Sequence, residues 1–261
     1  MKKVKAIIVT GFGINCEEEM KAAYQYAGVE ADIIHLNEIF IRDVSIHKYD
    51  ILNFPGGFSF GDDIASGKVL ANKIKFRKLN SGKTFLEEII RFIEDKKYIF
   101  GSCNGFQVLV KTGLLPNISG NFEQEVTLTR NDSGKFIDDW RTLKITSDQS
   151  PFLKGLTTID LPIRHGEGKL IIRDDNIRKH IIDKKLNCLN YLNNPNGSEL
   201  DCAGMTDSTG QILGMMPHPE AYLSSCNHPD WNRRKMLSGA KDDHGEGLQI
   251  FINIVEHIRR Q

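Results

Sequence analysis

Residues 100–109, FGSCNGFQVL, place one cysteine between two glycines where an apolar run passes into a helical pattern. The Gly-x-Cys-x-Gly spacing follows the logic of the nucleophile elbow, in which small residues leave room for a sharp strand-to-helix turn. We expect a strand to end just before Cys103 and a helix over residues 104–112, which Gly113 ends. The dipole and free N–H groups at a helix N-terminus favour a thiolate. The stretch therefore predicts a nucleophile at Cys103 rather than the buried structural cysteine that is usual for this residue type.

The first half of the chain alternates short apolar strands with helices. Strands are predicted at residues 4–10, 31–36, 49–54 and 98–100. Asn15 is the predicted N-cap of a helix after the first strand, and an apolar face from Phe85 to Ile93 marks another helix. This alternation is typical of an α/β fold with a doubly wound, mostly parallel sheet flanked by helices. Active sites in such sheets lie beyond the carboxyl ends of the strands, where GSCNGF and PGGFSFGDD both fall.

The second half has a different texture. From about residue 125 to 216, short strand-like runs such as RTLKIT, LPIRHGEGKLII and GQILGMM alternate with Asn, Gly, Asp and Pro. We interpret them as antiparallel strands that extend the sheet and return to the core. The run from Leu248 to Ile258 is an amphipathic helix. With no internal repeat or linker, residues 1–261 are predicted to form a single domain.

Composition limits the classes of function. Lys plus Arg and Asp plus Glu are 34 each, and this balance argues against a nucleic-acid or membrane surface. No apolar run approaches the roughly 20 residues of a membrane helix, and no signal peptide is recognisable, so we expect a cytoplasmic protein. The five cysteines include no Cys-x-x-Cys pair, so neither a disulfide framework nor a metal site is expected. Cys16, Cys188 and Cys202 are interpreted as structural.

A thiol nucleophile needs a base and donors for the oxyanion. His218 in MMPHPEAY lies between two prolines, and Glu220, two residues on, could reach its far nitrogen. The adjacent glycines of FPGGFS (54–59) could turn N–H groups inward. On the residues alone, a proline-rich exit turn and an ordinary strand-to-helix turn stay open for these two stretches. His165 in RHGEGKL is a rival base or a ligand contact.

Taken together, GSCNGFQ, PGGFSFGDD and MMPHPE resemble the triad-type (class I) glutamine amidotransferases. Longer blocks, among them CNGFQVLVKTGLLP, PIRHGEGKL and NPNGSELDCAG, are similar to the glutamine amidotransferase subunits of phosphoribosylformylglycinamidine synthase, an enzyme of purine biosynthesis. These blocks extend from the first strand to about Glu220. Against that pattern, residues 221–246 are interpreted as an insertion before the C-terminal helix, and Ile64–Ala65 stands where Leu-Arg is expected.

The resemblance implies roles for single residues. Cys103 would be the nucleophile, His218 the base and acid, and Glu220 the residue that orients His218. Oxyanion and glutamine contacts would come from a further set: Gly57, Phe58, Asn104, Gln107, His165 and Gly166. The implied reaction hydrolyses L-glutamine through a Cys thioester to glutamate and ammonia.

The resemblance also implies partners. The ammonia would pass through an internal channel to a synthetase subunit that converts formylglycinamide ribonucleotide to formylglycinamidine ribonucleotide. ATP and Mg²⁺ would bind that subunit, with no cofactor in this chain, and a small bridging subunit would complete the complex. The alternatives are another triad amidotransferase subunit, a stand-alone cysteine hydrolase or peptidase of the same fold, and a non-catalytic scaffold. A scaffold would be expected to have lost one of the three triad residues, and all three are present.

Overall fold

The computed structural model describes residues 2–42, 44–238 and 244–261, and in them a nine-stranded sheet and a two-stranded sheet. The strands are β1 (Lys5–Thr10), β2 (Glu30–His35), β3 (Ile51–Phe54), β4 (Tyr98–Ser102), β5 (Val126–Thr129), β6 (Ile137–Ile145), β7 (Thr158–His165), β8 (Lys169–Ile172), β9 (Leu189–Tyr191), β10 (Cys202–Thr206) and β11 (Ile212–Met215). The large sheet has the order β2-β1-β3-β4-β11-β10-β9-β6-β7. Its first five strands are mutually parallel, and the last four pair antiparallel.

Helices cover both faces of the parallel part. The helices of the described ranges are α1 (Glu17–Tyr26), α2 (Leu36–Arg42), α3 (Lys68–Phe76), α4 (Phe85–Glu94), α5 (Asn104–Thr112), α6 (Asp175–Asp183), α7 (Trp231–Ser238) and α8 (Leu248–Arg259), of which α6 packs on β8 and α7 on the segment before it. Alternate residues of β1 point to opposite cores: Ile7 and Val9 pack with α2 to α5, whereas Ala6 and Ile8 pack with α1 and α8. A strand buried on both faces explains the unbroken apolar run in the sequence. The predicted fold class is confirmed.

The antiparallel part folds back over the end of the parallel part. Although β7 lies at the far edge of the sheet, the carbonyl of Arg164 is 3.5 Å from the Cys103 sulfur. The carbonyl of Pro162 likewise accepts a hydrogen bond from the His218 N–H at 2.9 Å. Because β7 runs in the same direction as β4, its carboxyl end reaches the edge at which β1, β3, β4 and β11 also end.

Several local predictions need correction. The first helix begins at Glu17, and its N-cap is Cys16 rather than Asn15, without a side-chain cap. GQILGMM forms β11 and runs parallel to β4, while β5 and β8 pair in the separate small sheet. Four helices were not predicted, namely α2, α3, α6 and α7. They are short, and a short helix depends on tertiary packing more than on its own periodicity.

The predicted insertion, residues 221–246, packs against the β6–β7 hairpin. The Trp140 ring lies 5.0 Å from Tyr222 and 4.4 Å from His228. Arg234 in α7 forms ion pairs with Asp160 and Glu246. Residues 239–243 of this segment lie outside the described residues. Within the described ranges, no helix is both long and apolar enough to cross a bilayer.

Candidate active site

Cys103 lies at the turn between β4 and α5, in the middle of the sheet. Its backbone has φ 49° and ψ −106°, a conformation that costs L-residues about 1–3 kcal/mol. A Cβ on Gly101 would lie 2.7 Å from Leu109 Cδ1, and a Cβ on Gly105 would overlap the Phe54 carbonyl oxygen. Both glycines are therefore required by the close packing of β3, β4 and α5, which is the elbow that the sequence predicted.

His218 and Glu220 follow β11, the parallel neighbour of β4. His218 Nδ1 is 2.8 Å from Glu220 Oε1. Since a carboxylate only accepts hydrogen bonds, Nδ1 is the donor, and Nε2 is left to face the nucleophile. The Ser102 hydroxyl donates to the same Glu220 oxygen at 2.9 Å. The residue before the nucleophile thus helps to hold the carboxylate that orients the imidazole.

The charges around His218 make its imidazole a strong proton acceptor. Burial lowers the pKa of His218, but the charges of Glu220 and Cys103 raise that pKa more, to well above its ordinary value. The Cys103 thiol donates to the Arg164 carbonyl at 3.5 Å. His218 Nε2 and Glu220 Oε2 are buried and have no hydrogen-bond partner among the described residues. Buried polar atoms without partners are costly, so their presence here marks a site prepared for substrate or water.

Two backbone N–H groups can serve an oxyanion near Cys103. The Asn104 N–H is in the first turn of α5 and the Gly57 N–H follows β3, and neither has an acceptor among the described residues. The Phe58 N–H, also predicted as part of this site, instead donates to the Gly13 carbonyl at 2.8 Å. Gly57 adopts φ 135°, which only glycine tolerates well. Of Gly57 and Phe58, only Gly57 has a backbone N–H without an acceptor among the described residues.

Gln107 and Asn104 join α5 to the loop after β7. Gln107 Nε2 donates to the Glu167 carbonyl at 2.6 Å, and Gln107 Oε1 accepts from Asn104 Nδ2 at 2.9 Å. Both side chains are buried. Their hydrogen bonds within the protein make them positioning groups for the HGEG loop, and a direct contact of Gln107 with glutamine stays a prediction.

His165, the rival base, is held differently from His218. Its Nδ1 pairs with Asn131 Oδ1 at 3.1 Å rather than with a carboxylate. Burial, with the nearby charge of His218, lowers the pKa of His165 to about 4. A base with so low a pKa is a poor proton acceptor at neutral pH. Its buried Nε2 has no partner among the described residues, whereas the Gly166 carbonyl accepts from the Asn131 N–H at 2.9 Å.

Lys111, in the last turn of α5, is a buried charge that no sequence motif indicated. Its ammonium donates to the Ser66 carbonyl, and the negative charges of Glu167 and Asp62 favour the charged form of the lysine. Ser66 in turn donates through N–H to Glu167 at 3.0 Å and through its hydroxyl to Asp62 at 2.8 Å. Asp62 Oδ1 accepts from Asn104 at 3.3 Å. Lysine is seldom buried without a partner, so a lysine in a helix is expected on the surface. Nothing in the sequence therefore indicated this network.

Cys16 was interpreted as structural, and the structure instead brings it to the site. Its sulfur is 4.0 Å from His218 Nδ1. Burial raises the pKa of this thiol. The signal was available: Cys16 follows the loop after β1, at the edge where β3, β4 and β11 end. With His218 and Glu220 it forms a group of three potential metal ligands, whereas Cys188 and Cys202 are fully buried elsewhere in the core.

Residues 3–258 match the model of the CobB/CobQ-like glutamine amidotransferase domain. The chain is 39% identical over 268 residues to the phosphoribosylformylglycinamidine synthase subunit PurQ of Dehalococcoides mccartyi, with all of both chains covered. It is 36% identical to the PurQ of Methanococcus maripaludis strain C5, covering 98% of this chain and 99% of the relative. A chain in the structure of PurLQS from Thermotoga maritima superposes with a TM-score of 0.74 at 28% identity, covering 98% of this chain and 100% of that one.

The match spans the elbow, the histidine turn and both parts of the sheet, so the resemblance inferred from short motifs is confirmed over the whole length. The solved relative has the same fold, although only 28% of the aligned residues are identical. The chain therefore belongs to the CobB/CobQ-like glutamine amidotransferase family, together with the PurQ subunits to which it is similar.

Proposed function

We propose that this chain is the glutaminase subunit of a phosphoribosylformylglycinamidine synthase and supplies ammonia to a synthetase subunit in purine biosynthesis. The observation that carries the proposal is the elbow: a strained Cys103 between β4 and α5, with a His218–Glu220 pair on the adjacent parallel strand. Full-length similarity to PurQ subunits supports the choice of this amidotransferase over its relatives.

The first half of the reaction makes a thioester. The Cys103 thiol turns from the Arg164 carbonyl to His218 Nε2, gives up its proton and attacks the side-chain amide carbon of L-glutamine. The N–H groups of Gly57 and Asn104 stabilise the oxyanion, where one donor is typically worth about 3 kcal/mol. His218 then protonates the leaving nitrogen, and ammonia departs. Glu220 stabilises the imidazolium that exists between these steps.

The second half restores the thiol. Water takes the place of ammonia, and His218 accepts its proton as the oxygen attacks the thioester carbonyl. Collapse of the tetrahedral intermediate expels Cys103, which recovers its proton from His218, and glutamate is released. All proton transfers use His218 Nε2, the buried atom without a partner. ATP and Mg²⁺ serve the next reaction, and we assign them to the synthetase partner.

An apolar surface beside the site supports a partner protein. Two open grooves of about 750 and 550 Å³ share Val69 in their lining. The side chains along them include Phe12 (43% exposed), Ile64 (73%) and Phe76 (70%). Several large apolar side chains exposed together on one surface are typical of an interaction site. We assign this surface to the synthetase subunit, with the small bridging subunit as a third component.

The decisive experiment measures glutamate release from L-glutamine, with and without the cognate synthetase and its substrates. Cys103→Ala should lower the rate by roughly 10⁴-fold or more, because the nucleophile is lost. Cys226→Ala, which removes an exposed thiol, is the matched control and should retain the wild-type rate. Glutamate release that survives Cys103→Ala would exclude the proposed nucleophile. Hydrolysis of peptides without hydrolysis of glutamine would favour a peptidase.

The partner surface has its own test. Ile64→Asp should weaken stimulation of the glutaminase by the synthetase at least tenfold, because a charge would be buried in an apolar interface. The control is Ile182→Asp, the same substitution at a residue of α6 that is 53% exposed and does not line these grooves. Equal stimulation of both variants would contradict the assignment of this surface and leave the glutaminase chemistry untouched.

A further inference from the structure

The second thiol beside the catalytic imidazole has no part in the reaction above. One sulfur of Cys16, one ring nitrogen of His218 and one carboxylate oxygen of Glu220 all lie within 4.8 Å of one another. Cys103 is not a member of this group, because its sulfur lies towards the Arg164 carbonyl on β7. The cluster therefore differs from the Cys-His-Glu triad and shares only two residues with it.

The donor atoms fit one kind of ligand. A thiolate, an imidazole and a carboxylate form a set typical of Zn²⁺, while Mg²⁺ and Ca²⁺ prefer oxygen alone. Zinc bonds of about 2.0–2.3 Å place ligand atoms some 3.3–3.8 Å apart, so separations of up to 4.8 Å need shifts of roughly 1 Å. The Cys16 sulfur is 4.0 Å from Nδ1, and Nδ1 is 2.8 Å from Glu220 Oε1.

The carboxylate of this group has one oxygen that no protein group uses in the described residues. Glu220 Oε2 is buried and has no hydrogen-bond partner among the described residues, although Oε1 has two. A Cβ on Gly56 would lie 2.6 Å from His218 Cε1 and 3.1 Å from the Cys16 sulfur, so only glycine leaves this corner open. Cys16 itself is partly exposed, and an ion can enter from its side.

We propose that Cys16, His218 and Glu220 form an inhibitory zinc site on the catalytic imidazole. On binding, the Cys16 thiol releases its proton to solvent, and the metal replaces the Nδ1 proton. A neutral imidazole carries a single N–H, so that proton then resides on Nε2. Nε2 can no longer accept the proton of Cys103, and the metal removes Glu220 as its partner. Zinc therefore blocks the base without touching the nucleophile.

The binding test uses the purified full chain with Co²⁺ and Zn²⁺ and needs no glutaminase activity. One Co²⁺ should bind per chain and give a near-ultraviolet sulfur-to-cobalt absorption band. Cys16→Ser should abolish the band and should lower the affinity for Zn²⁺, measured by chelator competition, by about tenfold or more. Glu220→Gln should weaken it as well. Cys226→Ser, the matched thiol control, and Cys103→Ser should both keep the band.

Loss of the band in Cys103→Ser but not in Cys16→Ser would overturn the proposal, as would the absence of saturable binding. Inhibition is measured separately, relative to the metal-free rate of each variant, and this readout rests on the proposed glutaminase. Zn²⁺ should inhibit the wild type at least about tenfold more strongly than Cys16→Ser. A chain that binds Zn²⁺ through Cys16 yet never hydrolyses glutamine would refute the proposed function and leave the metal site standing.

Discussion

Two polar clusters lie along α5, one buried and one partly buried, and they differ in how completely their hydrogen bonds are made. The triad cluster consists of Ser102, Cys103, His218 and Glu220. The support cluster consists of Asp62, Ser66, Asn104, Gln107, Lys111 and Glu167. In the triad cluster, two buried atoms, His218 Nε2 and Glu220 Oε2, have no partner among the described residues. In the support cluster, no buried side-chain nitrogen or oxygen is without one.

This difference in hydrogen bonding indicates that the triad cluster carries out the reaction and that the support cluster stabilises the structure around it. A fully paired network in a low-dielectric interior is rigid, because each bond strengthens its neighbours and breaking one leaves an unpaired polar group. Free hydrogen-bonding capacity is costly for stability and is retained where a substrate or water uses it. Substitutions in the triad cluster should therefore reduce the rate with little loss of stability, and substitutions in the support cluster should do the opposite.

The largest expected effect is on the triad side. Glu220→Gln should lower kcat for glutamine hydrolysis by about 10²- to 10⁴-fold, because the imidazolium loses its counter-charge. The Glu220 charge raises the pKa of His218, so its removal should also move the His218 limb of the pH–rate profile to lower pH. Glu256→Gln, an exposed carboxylate on α8, is the control. An unshifted profile would mean that Glu220 does not set the charge of His218.

The support side should respond in stability. Lys111→Met should lower the free energy of unfolding by about 2–3 kcal/mol, since the Ser66 carbonyl would lose its charged donor and the half-buried Asp62 and Glu167 would lose the nearby cation. KM for glutamine should rise more than kcat falls, because the HGEG loop loses its anchor to α5 through Ser66. Denaturant unfolding and steady-state kinetics measure the two quantities.

The matched control for this prediction is Lys179→Met, which removes an exposed lysine from α6. It should change the free energy of unfolding by no more than about 0.5 kcal/mol. If Lys111→Met were as mild as this control, or if it lowered only kcat, the division between the two clusters would be wrong.

The smallest effect concerns pH. Because the pKa of His165 is lowered to about 4 from an ordinary 6.5, the unfolded chain binds its proton more readily than the folded chain. The resulting stabilisation is present above pH 6.5 and is lost as the pH falls towards 4. His165→Gln should reduce the drop in unfolding free energy between pH 7 and pH 5 by about 2 kcal/mol. An unchanged drop would show that His165 does not titrate there.

The accuracy of the sequence predictions depended on how local the physics was. The helix after Cys103 was predicted to the residue and the strand before it only two residues short, because glycine spacing and helix periodicity act within a dozen residues. The Asn15 cap failed, since the chain after Gly13 is held by contacts with Gly57 rather than by helix capping. Phe58 was assigned an oxyanion role that its N–H, bonded to Gly13, does not leave free.

By itself, the sequence determined the elbow at Cys103 and the adjacency of His218 to Glu220, since both depend on short-range backbone geometry. Only the tertiary structure decided that Cys16 meets His218 and that Lys111 meets Ser66, which bonds Asp62 and Glu167. Those meetings depend on strand order and on the fold-back of β7, which bring together residues separated by up to 202 positions. No local propensity encodes such pairings, because they arise when several strands end at one edge of a sheet.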